Sequence, residues 1–137
     1  MGGVSVDVEF ANNDDLALVR RGMLEPGQVR REIVACIIDP GAAMLVLPEA
    51  VVKRLGLPLS GTTIVTYADG RTAQRRTAKG AFLKLLGRDD TFSALVEPRR
   101  RTALVGAIVL EALDLLVDCK NQCVIPRDPK GTMYEIE

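Results

Sequence analysis

The sequence predicts a mainly β protein: a small closed β-barrel with one or two short helices. Three observations predict it. Short β-prone runs recur along the chain, turn signals such as Asp69-Gly70 separate them, and only two segments carry helix start and stop signals. The 137 residues are 47% hydrophobic and 26% charged, which suits a single folded domain. Its core is expected from about residue 4 to residue 126, with a polar tail over 127–137 that is expected to be loose.

Each element has a local reason. Val4, Val6, Val8 and Phe10 alternate with Ser5, Asp7 and Glu9, which predicts a half-buried strand. Ala11 to Gly27 reads as a loop with at most one helical turn, capped by Asp14 or Asp15. Val29 to Ile38 is a second strand that turns continuously apolar toward its end, with Val29, Arg31, Ile33, Ala35 and Ile37 on one side. Met44 to Leu47 is a short buried strand. Pro48 then opens a helix over Glu49 to Leu55, with Glu49 at its positive end, Lys53-Arg54 at its negative end and Gly56 as its stop.

Two hairpins follow. Thr62 to Tyr67 and Arg71 to Lys79 flank the turn Ala68-Asp69-Gly70. Ala81 to Leu86 and Thr91 to Val96 flank Gly87-Arg88-Asp89-Asp90. Thr102 to Val105 is a short strand, Ala107 to Leu113 a helix, and Leu115 to Cys119 with Cys123 to Ile125 a last hairpin.

Charge and composition exclude several classes. Lys plus Arg (18) balances Asp plus Glu (18), so no global field steers the chain toward nucleic acid or acidic membranes. Arginine clusters occur at Arg20-Arg21, Arg30-Arg31, Arg75-Arg76 and Arg99-Arg100-Arg101, but aromatics are only 4%. They read as solvated strand ends, and no nucleic-acid partner is expected. No apolar run spans a bilayer, so no membrane partner is expected. Met1 to Asp7 shows neither a secretory nor a myristoylation pattern, and a cytoplasmic location is expected.

Histidine is absent, which removes Ser-His-Asp and Cys-His catalysis. Ser60 and Ser93 therefore have no general base. Cys36 reads as a core residue, and Cys119 and Cys123 as free thiols in a position to face each other across a hairpin, where a disulfide stays open as the alternative. Two thiolates make an incomplete zinc site, and Glu111, Asp114 and Asp118 lie on a helix followed by a strand, so no metal and no cofactor is expected.

The chemistry-bearing stretch is Ile37-Ile38-Asp39-Pro40-Gly41-Ala42, followed by Met44-Leu45-Val46-Leu47-Pro48. Asp39 ends an apolar run on a Pro-Gly turn, which holds a carboxylate against hydrophobic structure. Asp-Pro-Gly between apolar runs is equally an ordinary turn.

Together with Tyr67-Ala68-Asp69-Gly70-Arg71, and with Ala103-Leu104-Val105-Gly106 leading into the helix Ile108 to Leu113 and the strand Leu115 to Asp118, this stretch resembles the retropepsin-like aspartic proteases of clan AA in their small single-domain form. The ordered set covers about Val29 to Pro126. The resemblance implies the acid-protease barrel, a homodimer, a peptide or protein substrate, and peptide-bond hydrolysis by a water activated between two copies of Asp39. It implies an active-site loop at Pro40, Gly41 and Ala42, a substrate-binding flap at Tyr67, Ala68, Asp69 and Gly70, and a second motif at Leu104, Val105 and Gly106.

Two departures bear on activity. Relatives carry Thr or Ser where this chain has Pro40, and that residue's hydroxyl and N–H brace the two loops across the dimer axis. Proline has neither group. Up to about four hydrogen bonds, roughly 0.5–1.5 kcal/mol each, are lost from the pair. Ala107-Ile108 is also apolar where relatives often carry polar residues. The resemblance therefore leaves two readings open: an aspartic endopeptidase weakened by Pro40, or an inactive protease fold that binds peptides or dimerises.

Overall fold

Alternation at period two carries the first strand into the structure. β1 spans Val4–Asn12 and buries Val4, Val8 and Phe10 while Ser5 and Asp7 stay outside. The computed structural model describes residues 3–136. The absence of a signal read partly at Met1 and Gly2 concerns residues outside that range, as does Glu137 at the end of the tail.

After β1 come α1 (Asn13–Arg20), β2 (Arg31–Ile38), β3 (Leu45–Pro48), α2 (Glu49–Leu55), β4 (Leu59–Thr66), β5 (Thr72–Leu85) and β6 (Arg88–Glu97). β7 (Ala103–Val105), α3 (Ala107–Leu113), β8 (Leu115–Asp118) and β9 (Cys123–Pro126) complete the order. The large sheet runs β1-β2-β7-β3-β6-β5-β4, and an added β1–β5 pairing closes six of its strands into a barrel. β4 is left outside the closure and pairs only with β5 among the described residues. β8 and β9 form a separate hairpin. This is the mainly β barrel that the sequence predicts, with three short helices instead of one or two.

The core fills the barrel and the space under α2 and α3. Phe10, Leu45, Leu47, Leu83, Val105 and Val109 are fully buried there. On β2 the buried side chains are Val34, Cys36 and Ile38, whereas Ile33 is 70% exposed. Burial pushes the Cys36 thiol up to about 12, so it stays an unreactive core thiol.

α2 has the bounds that its local signals predict. Gly56 ends it at φ +64°, and the Gly56 amide donates to Lys53. α1 corrects the expectation of a loop. Its cap is Asn12, whose side chain accepts from the Asp15 amide at 2.9 Å, and not Asp14 or Asp15. Asn12 also donates to the carbonyls of Leu55 at 2.8 Å and Gly56 at 3.2 Å, so it joins α1 to the end of α2. Asp15 is then free to pair with Arg30, whose Nε and Nη2 both donate to it at 2.8 Å.

β5 is a second correction. Arg71 to Lys79 and Ala81 to Leu86 are one long strand, which passes through a register shift between Ala78 and Ala81 with Gly80 at φ +72°. The β5–β6 turn is only Leu86-Gly87, both at positive φ, so Asp89 and Asp90 lie on β6. Part of the tail is tied to the end of α3. Arg127 Nε donates to the Asp114 carboxylate at 2.5 Å, the Met133 amide donates to the same carboxylate at 3.0 Å, and the Tyr134 hydroxyl donates to the Ala112 carbonyl. Asp114 is the left-handed residue that ends α3, and the Arg127 guanidinium holds its carboxyl below the usual carboxylate range.

Candidate active site

Asp39 stands where two motifs meet. β2 delivers it and β7 runs parallel alongside, with Ile37 opposite Leu104 and Ile38 opposite Val105. The Asp39 amide donates to the Val105 carbonyl at 2.9 Å. Leu104 also pairs with Val46 of β3, so β7 lies between β2 and β3.

The loop after Asp39 is a tight turn. The Ala42 amide donates to the Asp39 carbonyl at 3.0 Å, which puts Pro40 where its fixed φ suits a turn. The Gly41 amide donates to Asp39 Oδ1 at 2.9 Å, so the carboxylate has one fixed donor. Gly41 is not in the left-handed region. A Cβ there would lie 3.1 Å from Oδ1, so close approach to the carboxylate explains this glycine.

The start of α3 holds the rest of the loop. The amides of Ala107 and Ile108 donate to the carbonyls of Ala42 at 2.7 Å and Ala43 at 3.0 Å. Gly106 sits directly beneath. A Cβ on it would lie 2.5 Å from the Met44 carbonyl oxygen and 2.6 Å from that of Ala42, which no side chain tolerates. Apolar Ala107 and Ile108 therefore serve this loop through their backbone amides.

Asp39 is half-buried and Pro40 exposed. Both line a cavity of about 350 Å³ with Gly3, Val4, Ile38, Val117, Cys119 and Gln122. Asp39 is the only acidic residue on its wall among the described residues. Cys119 lies in the β8–β9 turn, because Asp118 and not Cys119 is opposite Cys123, and all three cysteines are free. No three His, Cys, Asp or Glu side chains converge as a metal would need, among the described residues. The Asp118 carboxylate instead accepts from Asn121, and Asp114 from Arg127.

The hairpin β4–β5 projects from the barrel with Tyr67, Ala68, Asp69 and Gly70 at its tip. β4 is almost wholly exposed, and β5 alternates exposed and half-buried residues from Thr72 to Thr77 before it enters the core. Two bonds close the turn: the Tyr67 amide to the Arg71 carbonyl at 2.8 Å, and the Gly70 amide to the Tyr67 carbonyl at 2.9 Å. The Arg71 amide and Nε both donate to the Asp69 carboxylate, which lowers its pKa. The four residues expected as a flap do not line the Asp39 cavity. Tyr67 lines a larger one, of about 870 Å³, with Arg71, Arg75, Glu97, Arg99 and Arg100.

Sequence reasoning missed the group that anchors this hairpin. The Tyr67 hydroxyl donates to Glu97 Oε2 at 2.6 Å, and Arg75 Nε donates to Glu97 Oε1 at 2.7 Å and to the Tyr67 oxygen at 3.0 Å. The Glu97 carboxylate beside it pushes the Tyr67 hydroxyl pKa up. Glu97 closes β6 opposite Pro48 of β3, so the triad ties the flap to the barrel wall. Nothing in the sequence links residues 30 positions apart.

A family model described as aspartyl protease matches residues 26–109. The chain belongs to this family. The match contains the Asp39 loop, the β4–β5 hairpin and Gly106. Among solved structures, the chain is similar to the EIAV protease complexed with the inhibitor HBY-793, at 19% identity and a TM-score of 0.54. That alignment covers 80% of this chain and 86% of the other. The fold is therefore that of the retropepsin-like aspartic proteases. Curated proteins give no match. None of the described helices is long and apolar enough to cross a membrane.

Proposed function

We propose that the chain is an aspartic endopeptidase whose active site is completed by a second copy, with Asp39 of each copy supplying one carboxylate. One observation carries this reading: Asp39 is braced at the junction of both motifs, yet its cavity holds no second acid among the described residues. Two such carboxylates across a two-fold axis cannot both ionise cheaply, so they share a proton. The ionised one takes a proton from water as its oxygen attacks the peptide carbonyl carbon, and the protonated one donates to the developing oxyanion. The substrate is a peptide or protein, and Tyr67, Ala68, Asp69 and Gly70 close over it. Exposed Leu116 and Ile125, opposite each other on β8 and β9, offer apolar surface to the partner. The unbridged thiols support a reducing, cytoplasmic setting.

Pro40 favours a second reading, an inactive fold that still binds peptides. It has no group with which to brace the partner's loop. Against this, the loop is braced within its own chain by the amides of Ala107 and Ile108.

Mixing separates a shared site from a single-chain one. With an equal amount of Asp39→Asn chain and free exchange, mixed dimers hold one carboxylate, so activity per wild-type chain falls to about half. Activity per wild-type chain that does not change with added Asp39→Asn chain overturns the shared site.

A further inference from the structure

We propose that the cavity between the tip half of the flap and the loop Pro98 to Arg100 is a cationic subsite for an acidic side chain, so that the peptides this protein takes carry Glu or Asp near the segment that crosses Asp39. This rests on the peptide-cleft reading above and adds a substrate class to it.

The charge on the wall is one-sided. Arg71, Arg75, Arg99 and Arg100 line the cavity against a single carboxylate, Glu97. Arg75 is committed to Glu97, and Arg71 to Asp69. Arg99 and Arg100 form no ion pair among the described residues. Arg100 is half-buried and its Nε donates to the Thr102 carbonyl at 2.7 Å, which fixes its guanidinium while leaving its charge uncompensated. A partly desolvated cation without a counter-ion favours a ligand that supplies one. The guanidinium fork matches a carboxylate and takes it through two parallel bonds.

The position suits a peptide. Pro98 to Thr102 leads directly into β7, which runs beside β2 to Val105, the residue bonded to Asp39. Arg100 precedes Val105 by five residues, at most about 17 Å of chain at about 3.3 Å per extended residue, the reach of about five substrate residues. The other wall is the inner face of the flap hairpin, through Tyr67, Ala73 and Arg75. A two-fold dimer repeats the subsite at the other end of the cleft.

The cavity suits a nucleic acid less well. Tyr67 is its only aromatic residue, and the guanidinium carbons of Arg71 and Arg75 lie 5.5 Å and 5.8 Å from the ring centroid. The ring is thus already occupied and is not a free platform for base stacking.

The test is retention of a random decapeptide library on immobilised Asp39→Asn chain, followed by sequencing of the bound fraction. Glu and Asp are expected at about tenfold over input, the effect of one charge-assisted hydrogen bond. The enrichment should weaken with salt and disappear in a chain that also carries Arg99→Gln and Arg100→Gln. An Arg99→Lys, Arg100→Lys chain should keep part of it. Unbiased retention, no retention, or a bias that survives the Gln substitutions overturns the proposal. So does a single-stranded DNA oligonucleotide that displaces the acidic peptides at equal concentration. Incubating the retained peptides with wild-type chain separates the two claims. Acidic peptides that bind but are never cut contradict the endopeptidase and leave the subsite standing. Peptides cut without acidic bias do the reverse.

Discussion

The Asp39 amide donates to the Val105 carbonyl at 2.9 Å, which joins the end of β2 to the end of β7 and sets the carboxylate over the glycine that follows. Gly106 is that glycine, and its neighbours leave no room for a Cβ. The groups in the way are backbone of the Asp39 loop and cannot move without moving the site. Gly106→Ala should therefore cost about 1–3 kcal/mol or more in urea unfolding. Gly27→Ala, where nothing lies within 4 Å, should stay within about 0.5 kcal/mol of wild type. Equal stability of the two variants would contradict the packing argument.

Pro40 occupies a turn position that Thr also accepts, because the closing bond runs from the Ala42 amide to the Asp39 carbonyl and leaves residue 40 out. Pro40→Thr restores a hydroxyl and an N–H in each copy. If the missing brace limits activity, kcat/KM rises at least about tenfold, equivalent to one or two hydrogen bonds, and the dimer tightens. A folded, dimeric Pro40→Thr chain with no gain counts against the missing brace.

Much of the site was legible because its signals are local. Pro48, Glu49, Lys53-Arg54 and Gly56 delimit α2 within nine residues, and the Asp39 and Gly106 motifs each follow a β-prone run. What escaped depends on contacts distant in sequence. Asn12 caps α1 but is held by Leu55 and Gly56, more than 40 residues on. Gly80 looks like a strand end and is a bulge, because β6 continues past it on the other side. Arg75 and Arg30 look like solvated charges until Glu97 and Asp15 are folded against them.

The flap anchor makes its own prediction. Tyr67→Phe removes the hydroxyl shared with Glu97 and Arg75 but keeps the Arg75–Glu97 pair. Stability should fall by about 0.5–1.5 kcal/mol. Amide exchange should quicken at Tyr67 and Gly70, the two donors that close the flap turn, with little change in the barrel. Uniform quickening throughout the barrel would show that the triad does not act locally.

Acid should weaken the α1 corner. Asp15 is buried, and the hydrogen bonds from the Arg30 side chain hold its carboxyl below the usual carboxylate range. Its folded pKa lies below its unfolded one, so the stabilisation is complete above about pH 4 and lost as pH falls through the folded value. Asp15→Asn should cost about 1–3 kcal/mol at pH 7, because Arg30 loses its charged partner. The difference from wild type should shrink progressively as pH falls through the folded value. A pH-independent difference would show that shape, not charge, matters at this corner.

Asp39 is proposed to cut peptides as one half of a pair. The most direct measurement is digestion of a diverse peptide library by wild-type chain and by Asp39→Asn, from acid to neutral pH, with the dimer fraction recorded in the same samples. Asn retains the side-chain oxygen that accepts from the Gly41 amide, so the variant should fold and dimerise while its cleavage rate drops by about a hundredfold or more. A folded, dimeric wild-type chain that cuts nothing, or an Asp39→Asn chain that cuts as well as wild type, would contradict the claim.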